Sequence, residues 1–175
     1  CRAVRARVLH YRNDKEPAIL SGGIMDSGVY RIIDANLNRV MEGVRVCEDV
    51  ARFSSNNKNL TASLKGLRHE IFGAVKDIRQ QYLFEMVSAR DVNDVGIKTT
   101  ESEKKRGDVS ELFMANVQRG KESLRVLEEV LKLFDGDVSQ KFKKFRFKLY
   151  DIERSAVEDR VLFGGACKKN RKGKS

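Results

Sequence analysis

Ala35-Asn36, Arg39, Glu42, Arg45-Val46, Glu48-Asp49 and Val50 recur as Ala115-Asn116, Arg119, Glu122, Arg125-Val126, Glu128-Glu129 and Val130, at a constant offset of 80 residues with no gap. A second match, Leu64-Lys65-Gly66-Leu67-Arg68 against Phe142-Lys143-Lys144-Phe145-Arg146, follows at an offset of 78. Self-similarity at a fixed offset marks a repeated supersecondary unit. Within each copy the apolar residues return every three or four positions, as Ile33, Leu37, Val40, Val44, Cys47 and Ala51 do in the first. That period is helical. The chain is therefore expected to be all-α, a bundle of four long helices built from two repeated hairpins related by a pseudo-two-fold.

The expected helices follow from stop and start signals. The first spans about 30 to 53 and halts at Ser54-Ser55-Asn56-Asn57. The second begins near Leu60 with Asn59 or Thr61 as N-cap, buries Leu64, Leu67, Ile71, Val75 and Ile78, and bends before a short segment at 82–89. Residues 90–107 form the one long connection. The third helix opens at Asp108 with Glu111 three residues on, a capping-box pattern, and ends near Phe134 before Gly136. The fourth opens at Asp137 or Ser139 and runs to about Phe163, ahead of Gly164-Gly165. The domain thus occupies 29–163, with repeat halves at about 30–88 and 108–163, an N-terminal tail of 1–28 and a basic C-terminal tail of 164–175. Met25 is a candidate start.

Composition narrows the functional classes. The chain has 175 residues and a formal charge of +10, but residues 164–175 contribute five bases and no acid. The tail of 1–28 adds +2, leaving +3 for residues 29–163. An excess confined to ragged ends gives little basis for a nucleic-acid interface, and none is expected. Apolar runs are too short to cross a membrane and no signal segment opens the chain, so the cytoplasm is the expected location. Three cysteines without a CxxC pair, Cys1, Cys47 and Cys167, fit reduced thiols. With only His10 and His69, a histidine triad or histidine-rich metal site is not expected.

The duplicated polar stripe is the candidate for chemistry. Asn36, Arg39 and Glu42 step by three residues along one helix, each about 60° back from the last. Asn36 and Gly43 flank the apolar stripe, and Arg45, Glu48 and Arg52 are expected to point outward. Arginine grips phosphate through a planar fork, and a carboxylate can share in holding magnesium. The structural alternative is that Glu48–Arg52 and Glu42–Arg45 are ion pairs along one helix. Arg45, Glu48, Arg125 and Glu128 would then be salt-bridge partners, and Asn36 and Asn116 would bridge helices. Asp91 and Asp94, before Gly96 in the long connection, are either magnesium ligands or ordinary turn residues.

Taken together, Arg31-Ile32-Ile33-Asp34-Ala35-Asn36-Leu37-Asn38-Arg39, Glu42-Gly43-Val44-Arg45-Val46, Glu48-Asp49-Val50-Ala51-Arg52-Phe53, Leu64-Lys65-Gly66-Leu67-Arg68-His69-Glu70, Ser88-Ala89-Arg90-Asp91, Asp94-Val95-Gly96 and the run from Ala115-Asn116 to Glu128-Glu129 resemble a known family. It is the helical hydroxymethylpyrimidine-phosphate kinase family of thiamin biosynthesis, whose members occur alone or fused in front of the barrel enzyme thiamine-phosphate synthase. The resemblance spans about residues 30–163 and excludes both tails. It implies a kinase that phosphorylates hydroxymethylpyrimidine phosphate with ATP and magnesium, giving the pyrophosphate that the synthase consumes. The chain is too short for the barrel, so the synthase label is not expected to carry over. No GxxxxGK[ST] or glycine-rich kinase loop is present.

Under this reading Arg39 and Arg119 bind phosphates, while Asn36 and Asn116 orient phosphate or pyrimidine groups. Glu42, Glu122, Asp91 and Asp94 hold magnesium or the pyrimidine amine, with Asp91 and Asp94 as the catalytic candidates. Arg68 and Arg146 are secondary phosphate ligands and Lys98 closes over the site. The partners are the pyrimidine phosphate and ATP, with thiamine-phosphate synthase and a second copy of the chain as protein candidates. The competing reading is a non-catalytic ligand-binding or regulatory helical module associated with thiamine-phosphate synthase.

Overall fold

The computed structural model describes residues 26–90 and 106–158. Its regular elements among these residues are all helical. Helix α1 (Ser27–Asp49) runs into a π-helical turn at Val50–Ser54, α2 spans Lys58–Ser88, α3 spans Val109–Val130 with a 3₁₀ turn at Leu131–Leu133, and α4 spans Gly136–Glu158. None of the helices is long and apolar enough to cross a membrane.

Each helix starts where a side chain satisfies the first backbone N–H groups, which have no partner within the helix. Asp26 accepts from Gly28 N at 2.9 Å to open α1. For α2 the cap is Asn57, accepting from Leu60 N at 2.9 Å, which corrects the expected Asn59 or Thr61. Asn56 just before it has a left-handed φ of 48°, so the chain turns there and leaves Asn57 extended. The Asp108 cap appears as expected: it accepts from Glu111 N at 2.8 Å, while Glu111 reaches back to Gly107 N at 2.7 Å. Asp135, in place of the expected Asp137 or Ser139, caps α4 by accepting from Asp137 N and Val138 N. The expected bend in the second helix is present at Tyr82, with φ −126° and ψ 21°. Tyr82 lies there against Tyr30 and Phe134, ring centroids 5.3–5.8 Å apart, closing one end of the bundle.

Packing follows the apolar stripes. Helix α1 lies against α2 and α3, and α4 against α3 and α2, so the order round the bundle is α1, α2, α4, α3. Leu37, Val40, Leu64, Ile71, Phe113, Leu124, Phe142 and Leu149 are among the fully buried residues at its centre. At the α1–α3 crossing the backbones nearly touch. A Cβ on Gly43 would stand 2.9 Å from the Asn116 carbonyl oxygen, so any side chain there would push the two backbones apart. Four residues on, the Cys47 thiol donates to the Phe113 carbonyl at 3.6 Å.

These contacts reveal the symmetry. Residue 43 lies by 116 and 47 by 113, so α1 and α3 are antiparallel. Continuing the register brings residue 40 opposite 119 or 120, its own equivalent at the 80-residue offset. On the far side, Glu70 pairs with Lys148 at 2.6 Å, and these are equivalents at the 78-residue offset. The pseudo-two-fold therefore enters between α1 and α3 near Val40 and Gly120 and leaves through the Glu70–Lys148 pair.

Candidate functional site

The duplicated charges divide into two groups. One group is committed to the scaffold. Glu48 is buried, which corrects the expectation that it points outward, and both its oxygens accept from Arg68 of α2. The second hairpin repeats the arrangement: buried Glu128 accepts from Arg146 of α4 at 2.7 and 3.0 Å and from Arg125 at 2.7 Å. Burial pushes the Glu48 carboxyl up, but the Arg68 hydrogen bond and charge, with Arg45 and Lys65 nearby, outweigh it and hold the carboxyl below its ordinary value. Arg68 is raised in return, chiefly by its bond to Glu48. For Arg146 burial works against the charge, but bonds to Glu128 and Tyr150 prevail and raise it. Arg68 and Arg146 thus spend their forks on buried carboxylates, where the sequence reading made them phosphate ligands.

The expected pairs within α1 are replaced accordingly. Arg45 binds Asp49 at 3.2 Å, and Arg52 lies over the Phe53 ring at 4.8 Å. Nor do the matched asparagines bridge helices through their amide nitrogens. Asn36 Nδ2 donates to the Ile32 carbonyl and Asn116 Nδ2 to the Leu112 carbonyl, each at 2.8 Å and each one turn back on its own helix. Asn36 is buried and Asn116 half-buried.

The other group is uncommitted. Arg39, Glu42 and Arg119 are exposed and have no hydrogen bond or ion pair to any described residue; exposed Glu122 accepts only from Gln118, at 2.6 Å. Arg39 and Arg119 fall at the level of the pseudo-two-fold, one on each helix of the closest crossing. Asp91, Asp94 and Lys98 lie outside the described residues.

Magnesium makes modest demands on a protein, commonly one or two carboxylates, with phosphate oxygens and water completing the octahedron. No group of three His, Cys, Asp or Glu side chains able to hold a metal ion occurs among the described residues. Glu42, exposed and unengaged, meets the smaller requirement, and Glu122 meets it if Gln118 releases it.

One charged cluster was not foreseen. Asp34 of α1 is buried, and Arg90 at the end of α2 forks onto it, Nε to Oδ2 at 2.7 Å and Nη2 to Oδ1 at 3.1 Å. Arg79 of α2 donates to Asn38 Oδ1 and lies 3.7 Å from the same Asp34 oxygen. A sequence signal existed, since the residue equivalent to Asp34 at the 80-residue offset is Met114.

Comparison with known proteins bears on the whole arrangement. The ThiD2 family model matches residues 31–155. The chain is similar to the thiamine-phosphate synthase of Nostoc punctiforme, 37% identical over 131 residues, covering 74% of this chain and 35% of that protein. It is similar also to the thiamine-phosphate synthases of Synechocystis, 36% identical over 138 residues (78% and 38%), and Rhodopirellula baltica, 38% identical over 124 residues (70% and 32%). The chain spans about a third of the length of these relatives. No solved structure matches it.

Proposed function

Because the chain belongs to the ThiD2 family, we propose that it acts in thiamin biosynthesis as a kinase that transfers a phosphoryl group from ATP to hydroxymethylpyrimidine phosphate. The observation that supports this reading is the division of the duplicated charges. Glu48, Glu128, Arg68 and Arg146 are spent on one another, whereas Arg39 and Arg119 present unspent guanidiniums beside the pseudo-two-fold, each with a carboxylate one turn on. Two forks at equivalent positions suit two phosphate-bearing substrates.

The chemistry asks little covalent participation of the protein. The accepting atom is itself a phosphate oxygen, already anionic, so no general base is required. What remains is alignment of donor and acceptor and neutralisation of repelling charge. Arg39 and Arg119 would each hold one phosphate by charge-assisted hydrogen bonds. Asn36 and Asn116, their amide nitrogens fixed on their own helices, would offer side-chain oxygens to the pyrimidine amine. Glu42 and Glu122 would hold magnesium, which supplies charge neutralisation across the phosphates when bound.

The test is release of ADP on addition of hydroxymethylpyrimidine phosphate and ATP to the purified chain, with the pyrophosphate product detected directly. Turnover that depends on both substrates is expected. A folded chain that binds the pyrimidine phosphate without turnover would favour the second reading, a non-catalytic helical module accompanying a thiamine-phosphate synthase. That reading draws on the relatives' name and on the chain's spanning about a third of their length.

A further inference from the structure

The outer side of α2 and α4, where the Glu70–Lys148 pair lies, carries its charges unevenly. On this face α2 presents Glu70 and Asp77, and α4 presents Lys141, Lys144 and Lys148. The start of α2 shares a cleft with Ser155 and Ala156 near the end of α4, and Glu70 meets Lys148, so the two helices are antiparallel. Asp77, two turns after Glu70, is therefore level with Lys141, two turns before Lys148. Lys148 answers Glu70 at 2.6 Å. Exposed Asp77, Lys141 and Lys144, in contrast, have no hydrogen bond or ion pair to any described residue.

Relief is uneven in the same sense. Gly66 and Gly73 stand two turns apart on α2, both exposed, and a Cβ on either would meet nothing within 4 Å. A glycine inside a helix weakens it relative to alanine, and no described contact accounts for these two. At the 78-residue offset α4 has Lys144 and Asp151 in their places. One helix of the face is thus acidic and bare, the other basic and furnished with long side chains.

We propose that this face binds a second copy of the chain, about a two-fold parallel to the helix axes that lays α2 of each copy on α4 of the other. Such an axis keeps every residue at its own level. Whatever stands across the groove from a residue in one chain then stands opposite it in the second copy. Asp77 faces Lys141 of the second copy, and the two Glu70–Lys148 pairs form a ring of four alternating charges. Asp151, which lines a cleft with Gly66 in one chain, lies over Gly66 of the other, and Lys144 lies over Gly73. A two-fold perpendicular to the helices would instead set Glu70 on Glu70 and Lys148 on Lys148, like against like. The face is two helices wide, ~20 Å, and ~35 Å long over the 23 residues of α4. Its area of ~700 Å² approaches the ~800 Å² per partner that specific interfaces bury. The stripe of Arg39 and Arg119 lies on the opposite side of the bundle and stays open in both copies. The inference does not depend on the kinase reading.

The experiment is sedimentation equilibrium of the whole chain from about 1 to 500 µM, where a dimer with a dissociation constant of about 1–100 µM is expected. Asp77→Lys and Lys141→Asp each set like charges face to face twice, and each should weaken association about 10-fold or more. The double variant Asp77→Lys/Lys141→Asp reverses both members and should restore it. Gly66→Gln/Gly73→Gln should weaken association to a similar degree while Tm, measured on dilute monomer, holds or rises. A chain that remains monomeric to about 500 µM overturns the proposal and leaves the face to a different protein. Dimers indifferent to the single charge reversals and to the glutamines overturn it too, as does a double reversal that associates no better than the singles.

Discussion

Replacing Gly43 by alanine tests the closeness of the α1–α3 crossing, on which the shared face of the two hairpins depends. The new methyl would stand 2.9 Å from the Asn116 carbonyl oxygen, where ordinary contacts begin at 3.4 Å. The obstacle is backbone in the middle of a helix, so relief requires the helices to part by about half an ångström along that line. Overpacking of this size costs about 1–3 kcal/mol. Against it stands the gain of about 1 kcal/mol from removing a glycine inside a helix. The net expectation is a loss of about 0–2 kcal/mol. Two glycines of α2 supply the reference, because a Cβ at Gly66 or Gly73 meets nothing within 4 Å. Gly66→Ala and Gly73→Ala should each stabilise by about 0.5–1 kcal/mol. Urea unfolding followed by circular dichroism at equal m values would report all three. If Gly43→Ala stabilises as much as the two reference substitutions, the crossing is looser than described and the reasoning fails.

Glu128→Gln leaves two arginines around a neutral amide, and Arg146 is only 13% exposed. A loss of up to about 3–5 kcal/mol is expected, read from the urea midpoint, and a loss under about 1 kcal/mol would mean that the clasp is slack. Because the Glu48 carboxyl is held below its ordinary value, its contribution is complete above the unfolded carboxylate range, near pH 4.5, and is lost as pH falls through the lower folded value. Stability should therefore fall on acidification below about pH 4.5, less steeply in Glu48→Gln; identical pH profiles would contradict the assignment. Arg39→Ala and Arg119→Ala remove exposed, unengaged side chains, so Tm should hold within a few degrees. Each should weaken the corresponding phosphate-bearing substrate by about 1.5–3 kcal/mol in the kinase assay, and unchanged kinetics would remove the stripe from the site.

The helices were legible because their information is local or repeated. Apolar period, the Asp108 cap and the 80-residue offset all lie in the chain as written. Cap choice at α2 was not, since Asn56, Asn57, Asn59 and Thr61 are all competent and only the left-handed turn at Asn56 decides among them. Glu48 sits at the margin of the apolar stripe, and whether such a margin is wet depends on what the next helix lays over it. Here that is Arg68, twenty residues on. The Asp34–Arg90 fork joins residues 56 apart and has no periodic signal at all. The matched asparagines were rightly singled out, but a carboxamide inside a helix can satisfy its donors on the preceding turn, which spacing alone does not distinguish from a bridge.

The Glu70–Lys148 pair carries a consequence for how the two hairpins recognise each other. In an association of identical units, a residue on the two-fold meets its own copy. Two first hairpins would set carboxylate against carboxylate there, and two second hairpins ammonium against ammonium. At the opposite end of the axis, a pair of first hairpins would bring Val40 against Val40, where the single chain has the bare backbone of Gly120. The ion pair is half exposed, so its contribution to stability is small, about 0–1 kcal/mol. Its larger effect is on partner choice: each half is fitted to its dissimilar sibling in preference to its twin. Covalent linkage in one chain thus frees the two sides of the axis to diverge, as the acid at Asp34 and the methionine at Met114 have done.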